Sequence, residues 1–285
     1  MRGLSDHFCD CLKSGFLSGI TESVRGDPDL NLEIRDSYIN IYYKGNSLLK
    51  LAETGSLQYK AQIHEKFLDG IDLSLDFTAD TVDQFLSAIP LLKKNIAKHG
   101  SYSLEAEYEQ MIIRANNFEH RNNTDYFIVD RQYVIQTERF DLIGVFWGRS
   151  GRNRNREASV CLLEVKFALN TDISEIHNQL ARYHEAIRPR AAKIAEEMQA
   201  VFRQKIELGL VQQTTERLDA LKTLSFSKNI DDFQFILVLV DYNPNSSLLD
   251  LESLASLPFA NQIKIFSSGF AMWQQNVKPL WRHLS

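Results

Sequence analysis

Residues 159–169 read SVCLLEVKFAL, and this stretch decides the architecture. As a strand it places successive side chains on opposite faces. Cys161, Leu163, Val165 and Phe167 then share one face, and Val160, Leu162, Glu164 and Lys166 share the other. Both faces are apolar until the second ends in a carboxylate and an ammonium. A strand that is apolar on both sides belongs to a sheet covered on both sides. Charges inside such a strand are costly unless they pair or bind something. For an E-x-K in isolation, an exposed strand end or a Glu164–Lys166 ion pair suffices, so its surroundings decide.

Upstream, RFDLIGVFW (139–147) places Asp141 inside a second hydrophobic strand, and DYFIVDRQYVIQ (125–136) forms a third. The polar stretch GRSGRNRNREA (148–158) lets 139–147 and 159–169 pair as a hairpin. Asp141 and Glu164 then come close enough to share one cation. Two carboxylates in an apolar sheet repel unless a divalent ion neutralises them. An all-oxygen ligand set suits Mg²⁺ or Mn²⁺ rather than zinc. Lys166, on the face of Glu164, is placed to orient a water or to offset charge on a phosphate oxygen.

Downstream, Ile173, Ile176, Leu180, Tyr183 and Ile187 recur at helical spacing. Pro189 kinks that helix or opens a new one, in which Ala191, Ile194, Met198 and Val201 continue the stripe. FQFILVLVDY (233–242) is a buried strand, LLDLESLASL a short helix, and NQIKIF (261–266) a closing strand. Near the start, LNLEIR, YINIYYKG and SLLKLAE, divided by turn residues, predict a meander, and QYKAQIHEKFL (58–68) suits strand or helix. Thr81 with Gln84 suggests a capping box before Val82, Phe85, Ile89, Leu92 and Ile96, with Gly100 as the stop. A second helix covers 103–117, with Leu104, Tyr108, Met111, Ile112 and Ala115 on one face. The pattern predicts an α/β fold, divided into a β-rich region over 1–100 and a main domain over 101–285.

Composition narrows the classes. The 285 residues are 44% hydrophobic and 24% charged, a globular balance. The apolar run Phe235–Val240 is far short of the ~20 residues of a spanning helix, and Asp6 and Asp10 interrupt the start where an export signal would be apolar. Three cysteines without metal spacing read as reduced thiols, so the expected location is the cytoplasm, away from membranes. A net charge of −5 argues against coating nucleic acid by bulk charge but leaves room for a local basic surface.

Asp141, a spacer, and Glu164-Val165-Lys166 after apolar residues resemble the PD-(D/E)XK nuclease superfamily. Gln179-Leu180-Ala181-Arg182-Tyr183 matches the Q-x-x-x-Y helix of its RecB-like members, and the helix over 103–117 offers Glu105, Glu107 or Glu109. Of these, Glu107 with Gln110 is most like the usual E-x-x-Q. Phe140 stands where many members carry Pro. The resemblance covers roughly 103–187 and implies a restriction-endonuclease-like core, with a central mixed sheet flanked by helices. It also implies Mg²⁺- or Mn²⁺-dependent hydrolysis of phosphodiester bonds, in DNA before RNA. Asp141, Glu164, the Val165 carbonyl and Glu107 would hold the metal, and Lys166 would activate the water. Gln179 and Tyr183 would border the site and contact phosphate. Arg149, Arg152, Arg154 and Arg156 in the connecting loop, with Arg182 and then His184, Arg188, Arg190 and Lys193 downstream, form the expected nucleic-acid surface. The alternative is a catalytically inactive module on this fold that binds nucleic acid or protein. The region 1–100 would then face a protein partner or a second copy of the chain.

Overall fold

The computed structural model describes residues 2–148, 157–167 and 170–273. Helices α1 (Asp6–Lys13) and α2 (Ser18–Gly26) lead into strands β1 (Leu30–Ile34), β2 (Tyr38–Tyr43), β3 (Asn46–Gly55), β4 (Gln58–Gln62) and β5 (Asp76–Phe77). These five strands form an antiparallel sheet in chain order, as the meander reading predicts. The ambiguous stretch 58–68 divides into β4 and a 3₁₀ turn at Glu65–Phe67. Lys44 and Gly45, both at positive φ, join β2 to β3 in two residues, the geometry that matches strand twist. A Cβ on Gly45 would stand 2.6 Å from the Ala106 Cβ, so this turn packs against the helix that follows.

Helix α3 (Ala79–His99) buries Val82, Phe85, Ile89, Leu92 and Ile96, the predicted stripe, and Gly100 caps its end. Its start differs from expectation. Thr78 accepts from the Thr81 amide and Thr81 reciprocates, so the capping box lies one turn earlier than Thr81–Gln84. Helix α4 (Leu104–Ile113) follows and widens into a π turn over Arg114–Phe118.

The remaining elements are β6 (Tyr126–Ile135), β7 (Glu138–Phe146), β8 (Glu157–Phe167), α5 (Ile176–Ile187), α6 (Ala191–Glu207), α7 (Thr215–Lys222), β9 (Ser225–Phe226), β10 (Gln234–Val240), α8 (Leu251–Ala255) and β11 (Ile263–Ser268). They build a mixed sheet in the order β11-β10-β8-β7-β6, with β9 beside the start of β8. Strands β6, β7 and β8 are antiparallel neighbours; β10 returns parallel to β8, and β11 lies parallel to β10. The period-two reading of β8 is realised. Cys161, Leu163 and Val165 pack with Leu142, Ile236, Val238 and Ile113, whereas Val160 and Leu162 join the larger core with Leu180, Tyr183 and Phe235.

That larger core runs without interruption from Phe8 in α1 to Phe259, through both sheets. Buried ion pairs cross the same boundary. Asp130 on β6, fully buried, meets Arg2 and Arg35, and Lys205 on α6 lies 2.8 Å from Glu33 on β1. The described residues before and after position 100 differ in topology but share one interior. Among the described residues no helix is long and apolar enough to cross a membrane, and the three cysteines are free and buried.

Candidate functional site

The β7–β8 ladder stops at Leu142–Leu163, one residue short of Asp141 and Glu164. Asp141 continues it with its side chain, Oδ2 accepting the Val165 amide hydrogen at 2.8 Å. On the other flank, the β6–β7 pairing skips Gln132 and Asp141, and Gln132 sits at φ 53. Left-handed backbone at a non-glycine costs ~1–3 kcal/mol and concentrates at functional sites. The sheet therefore opens at Asp141 on both sides.

Glu164, 4% exposed, receives three donors. Lys166 Nζ at 2.8 Å and Gln179 Nε2 at 2.6 Å reach Oε1, and the Tyr183 hydroxyl reaches Oε2 at 2.9 Å. That hydroxyl also lies 2.7 Å from the Arg139 carbonyl and accepts from Gln179 at 2.6 Å. A phenol has one proton, so Glu164 and the carbonyl share it. The Tyr183 ring packs 4.2 Å from Phe140, which fills the position where the resemblance expects Pro. Gln179 and Tyr183, one helical turn apart on α5, thus both reach the carboxylate of the E-x-K strand.

Burial and the neighbouring Glu164 charge push the Asp141 carboxyl up to about 8, against the pull of the Val165 amide and Lys166. Burial works against the Lys166 ammonium, but the charge and hydrogen bond of Glu164, followed by Asp141 and Glu105, outweigh it and raise its pKa. Burial and Glu164 raise Tyr183 as well, keeping it a donor.

Helix α4 departs from expectation. Its buried side chains are Ala106, Glu109 and Ile113, while Leu104 and Met111 are exposed. The reason is electrostatic: Glu109 pairs with Arg131, which is fully buried on β6, and its charge also bears on Asp141. Glu105 and Glu109, one turn apart, bear on Lys166 and Asp141 through their charge; Glu109 is buried, and Glu105 and Glu107 are both half-buried. Gln110 donates to the Asp29 carbonyl and accepts from the Gly45 amide. The signal for Arg131 lies in Asp130-Arg131, two charges inside an apolar strand, the same anomaly as Glu164–Lys166.

Arg182 is exposed and stands 3.4 Å from Glu138. It shares with Lys166, Gln179, Asn178 and Asp172 an open groove of about 700 Å³ along α5. His184 turns the other way, stacking on Phe259 at 4.2 Å, and burial lowers its pKa; it belongs to the core rather than to a phosphate surface. Arg149, Arg152, Arg154 and Arg156 lie outside the described residues.

Among the described residues, no three His, Cys, Asp or Glu side chains gather into a metal-holding cluster. The donor set nonetheless suits a hard cation in part. Asp141 and Glu164 are two carboxylates whose repulsion a divalent ion would relieve. Asp141 Oδ1 has no hydrogen-bond partner among the described residues. No family model, curated protein or solved structure matches the chain.

Proposed function

We propose that this protein is a Mg²⁺- or Mn²⁺-dependent nuclease of the PD-(D/E)XK type, acting on DNA in preference to RNA. The observation that carries the reading is the convergence of Asp141, Glu164, Lys166, Gln179 and Tyr183, from β7, β8 and α5, on one opening in the mixed sheet. The order α4-β6-β7-β8-α5-β10, with β10 parallel to β8, supports a restriction-endonuclease-like core.

Asp141, Glu164 and the Val165 carbonyl would hold the cation, which when bound supplies Lewis acidity and a water of lowered pKa. The protein's own groups do the rest. Gln179 and Tyr183 fix the plane of Glu164, and the Val165 amide fixes Asp141. Lys166 keeps its proton and presents positive charge where a phosphate gains negative charge in the transition state. Arg182, at the mouth of the groove, contacts backbone phosphates without reading sequence.

The test is digestion of linear, circular and single-stranded DNA and of RNA with Mg²⁺, Mn²⁺ or EDTA. Cleavage is expected with metal only and is expected to disappear in Lys166→Ala. Equal cutting by the variant, or no cutting of any substrate, would sink the reading. One observation favours the second reading, an inactive binding module: Glu164 is already held by three donors. In that case neither metal shifts the melting temperature of wild type or Asp141→Asn.

A further inference from the structure

Between β1 and the π turn that follows α4 lies a cavity of about 370 Å³, within the range of small-ligand sites. It is separate from the opening at Asp141: none of Asp141, Glu164, Lys166, Gln179 and Tyr183 lines it. Asn31 on β1 lines it and is 4% exposed, yet its side-chain oxygen is buried without a partner. Its amide makes no hydrogen bond among the described residues. Gln110 on α4, which also lines the cavity, is already engaged at both ends, by the Gly45 amide at 3.0 Å and the Asp29 carbonyl at 3.2 Å. A buried acceptor left unpaired costs about 1–3 kcal/mol, a cost that a ligand presenting a donor would remove.

The rest of the wall defines that ligand. Arg25, Arg114 and Arg121 line the cavity with two acids; Asp27 is held by Lys93 at 2.8 Å, Glu119 and Arg114 pair at 3.4 Å, and Arg25 stands 4.0 Å from Glu22. The lining therefore carries one arginine, Arg121, without an acidic partner among the described residues, and an unpaired amide on β1. Ile113 and Phe118 supply apolar surface, and Phe118 stands in the π turn, a geometry frequent at functional sites.

We infer that this cavity binds a nucleoside monophosphate. The arginines take the phosphate, Ile113 and Phe118 pack on the base, and the Asn31 amide pairs with its polar edge, as amide side chains do with adenine. This site stands whether or not the protein is a nuclease, because nothing in it involves Asp141, Glu164 or Lys166.

Titration calorimetry of the full chain with AMP, GMP, CMP and UMP, and separately with adenosine and inorganic phosphate, tests it. At least one nucleotide is expected to bind with micromolar affinity, with free phosphate at least ~10-fold weaker. Asn31→Leu is expected to fold as well as wild type, since it removes an unpaired buried amide, and to bind at least ~10-fold more weakly. Arg114→Gln with Arg121→Gln, both at exposed positions, is expected to weaken binding and flatten its salt dependence. The inference is overturned if no nucleotide binds, if free phosphate binds as tightly as the best nucleotide, or if Asn31→Leu binds unchanged. Should Asn31→Leu not fold, unchanged binding by the double arginine variant overturns it equally.

Discussion

Lys166 Nζ lies 2.8 Å from Glu164 Oε1, and both side chains are almost wholly removed from solvent. The pair is therefore more than a solvated strand end. Removing one partner of a buried ion pair typically costs about 3–5 kcal/mol, because it strands the other charge. Glu164 keeps Gln179 and Tyr183 as donors, so Lys166→Met is expected to fall at the low end, about 3 kcal/mol. Lys166→Met combined with Glu164→Gln should cost less than the sum of the two single changes. Urea denaturation of the four proteins measures the coupling, and strict additivity would show the two groups to be independent.

Asp141 gives the site a pH signature. Its carboxyl stands at about 8 in the folded chain against an ordinary 3.8. The folded state thus holds a proton that the unfolded chain releases. The stability this contributes is complete below the ordinary value and is lost as pH rises through about 8. Melting temperature is expected to fall between about pH 4 and 8 in wild type and to fall less in Asp141→Asn. Glu164→Gln should move the Asp141 titration down, because it removes the largest neighbouring negative charge. A carboxyl-resolved NMR titration of Asp141 in wild type and in Glu164→Gln checks the direction. If a divalent cation binds here it displaces the same proton, so stabilisation by Mn²⁺ should grow over that pH interval.

The buried charges on β6 bear on independence of the two regions. Asp130 has no exposure and two guanidinium partners, Arg2 and Arg35, both from the first region. A fragment over 101–285 would leave Asp130 and Lys205 buried without Arg2, Arg35 and Glu33. Such a fragment is expected to be unfolded or aggregated by circular dichroism and gel filtration. In the full chain, Asp130→Ala is expected to destabilise by about 3–5 kcal/mol, since it strands the two arginines. A monodisperse, cooperatively melting fragment would refute this.

Much of this arrangement was legible in the sequence because strand alternation is a local property. Glu164 and Lys166 share a face by period two alone, and Gln179 and Tyr183 share one by helical period. The hairpin that brings Asp141 to Glu164 follows from a polar loop between two apolar runs. What escaped was set by distant partners. The inward face of α4 is fixed by Arg131, so an apolar-stripe reading chose Leu104 and Met111, which are exposed. The cap of α3 moved to Thr78 because both Thr78 and Thr81 lie at workable spacing, and the geometry chose between them. Helices α1 and α2, of 8 and 9 residues, are too short for periodicity to announce. The left-handed Gln132 has no signature in sequence at all.

Arg182 separates a nucleic-acid surface from a merely solvated one. Its side chain is 58% exposed and its contact with Glu138, at 3.4 Å, is a surface pair. Such pairs contribute at most ~1 kcal/mol, so Arg182→Gln should leave the melting temperature within a degree or two of wild type. If the groove beside Lys166 holds a phosphate backbone, the same change removes one phosphate contact. Affinity for duplex DNA, measured by fluorescence anisotropy in EDTA, should then fall by a similar factor across unrelated sequences. The slope of log affinity against log salt should shrink by ~0.9, the amount one neutralised phosphate contributes. Glu138→Gln, which removes the only ion pair Arg182 makes among the described residues, should act in the opposite direction and tighten binding. An unchanged salt slope in both variants would place the nucleic acid, if it binds at all, on another face of the protein.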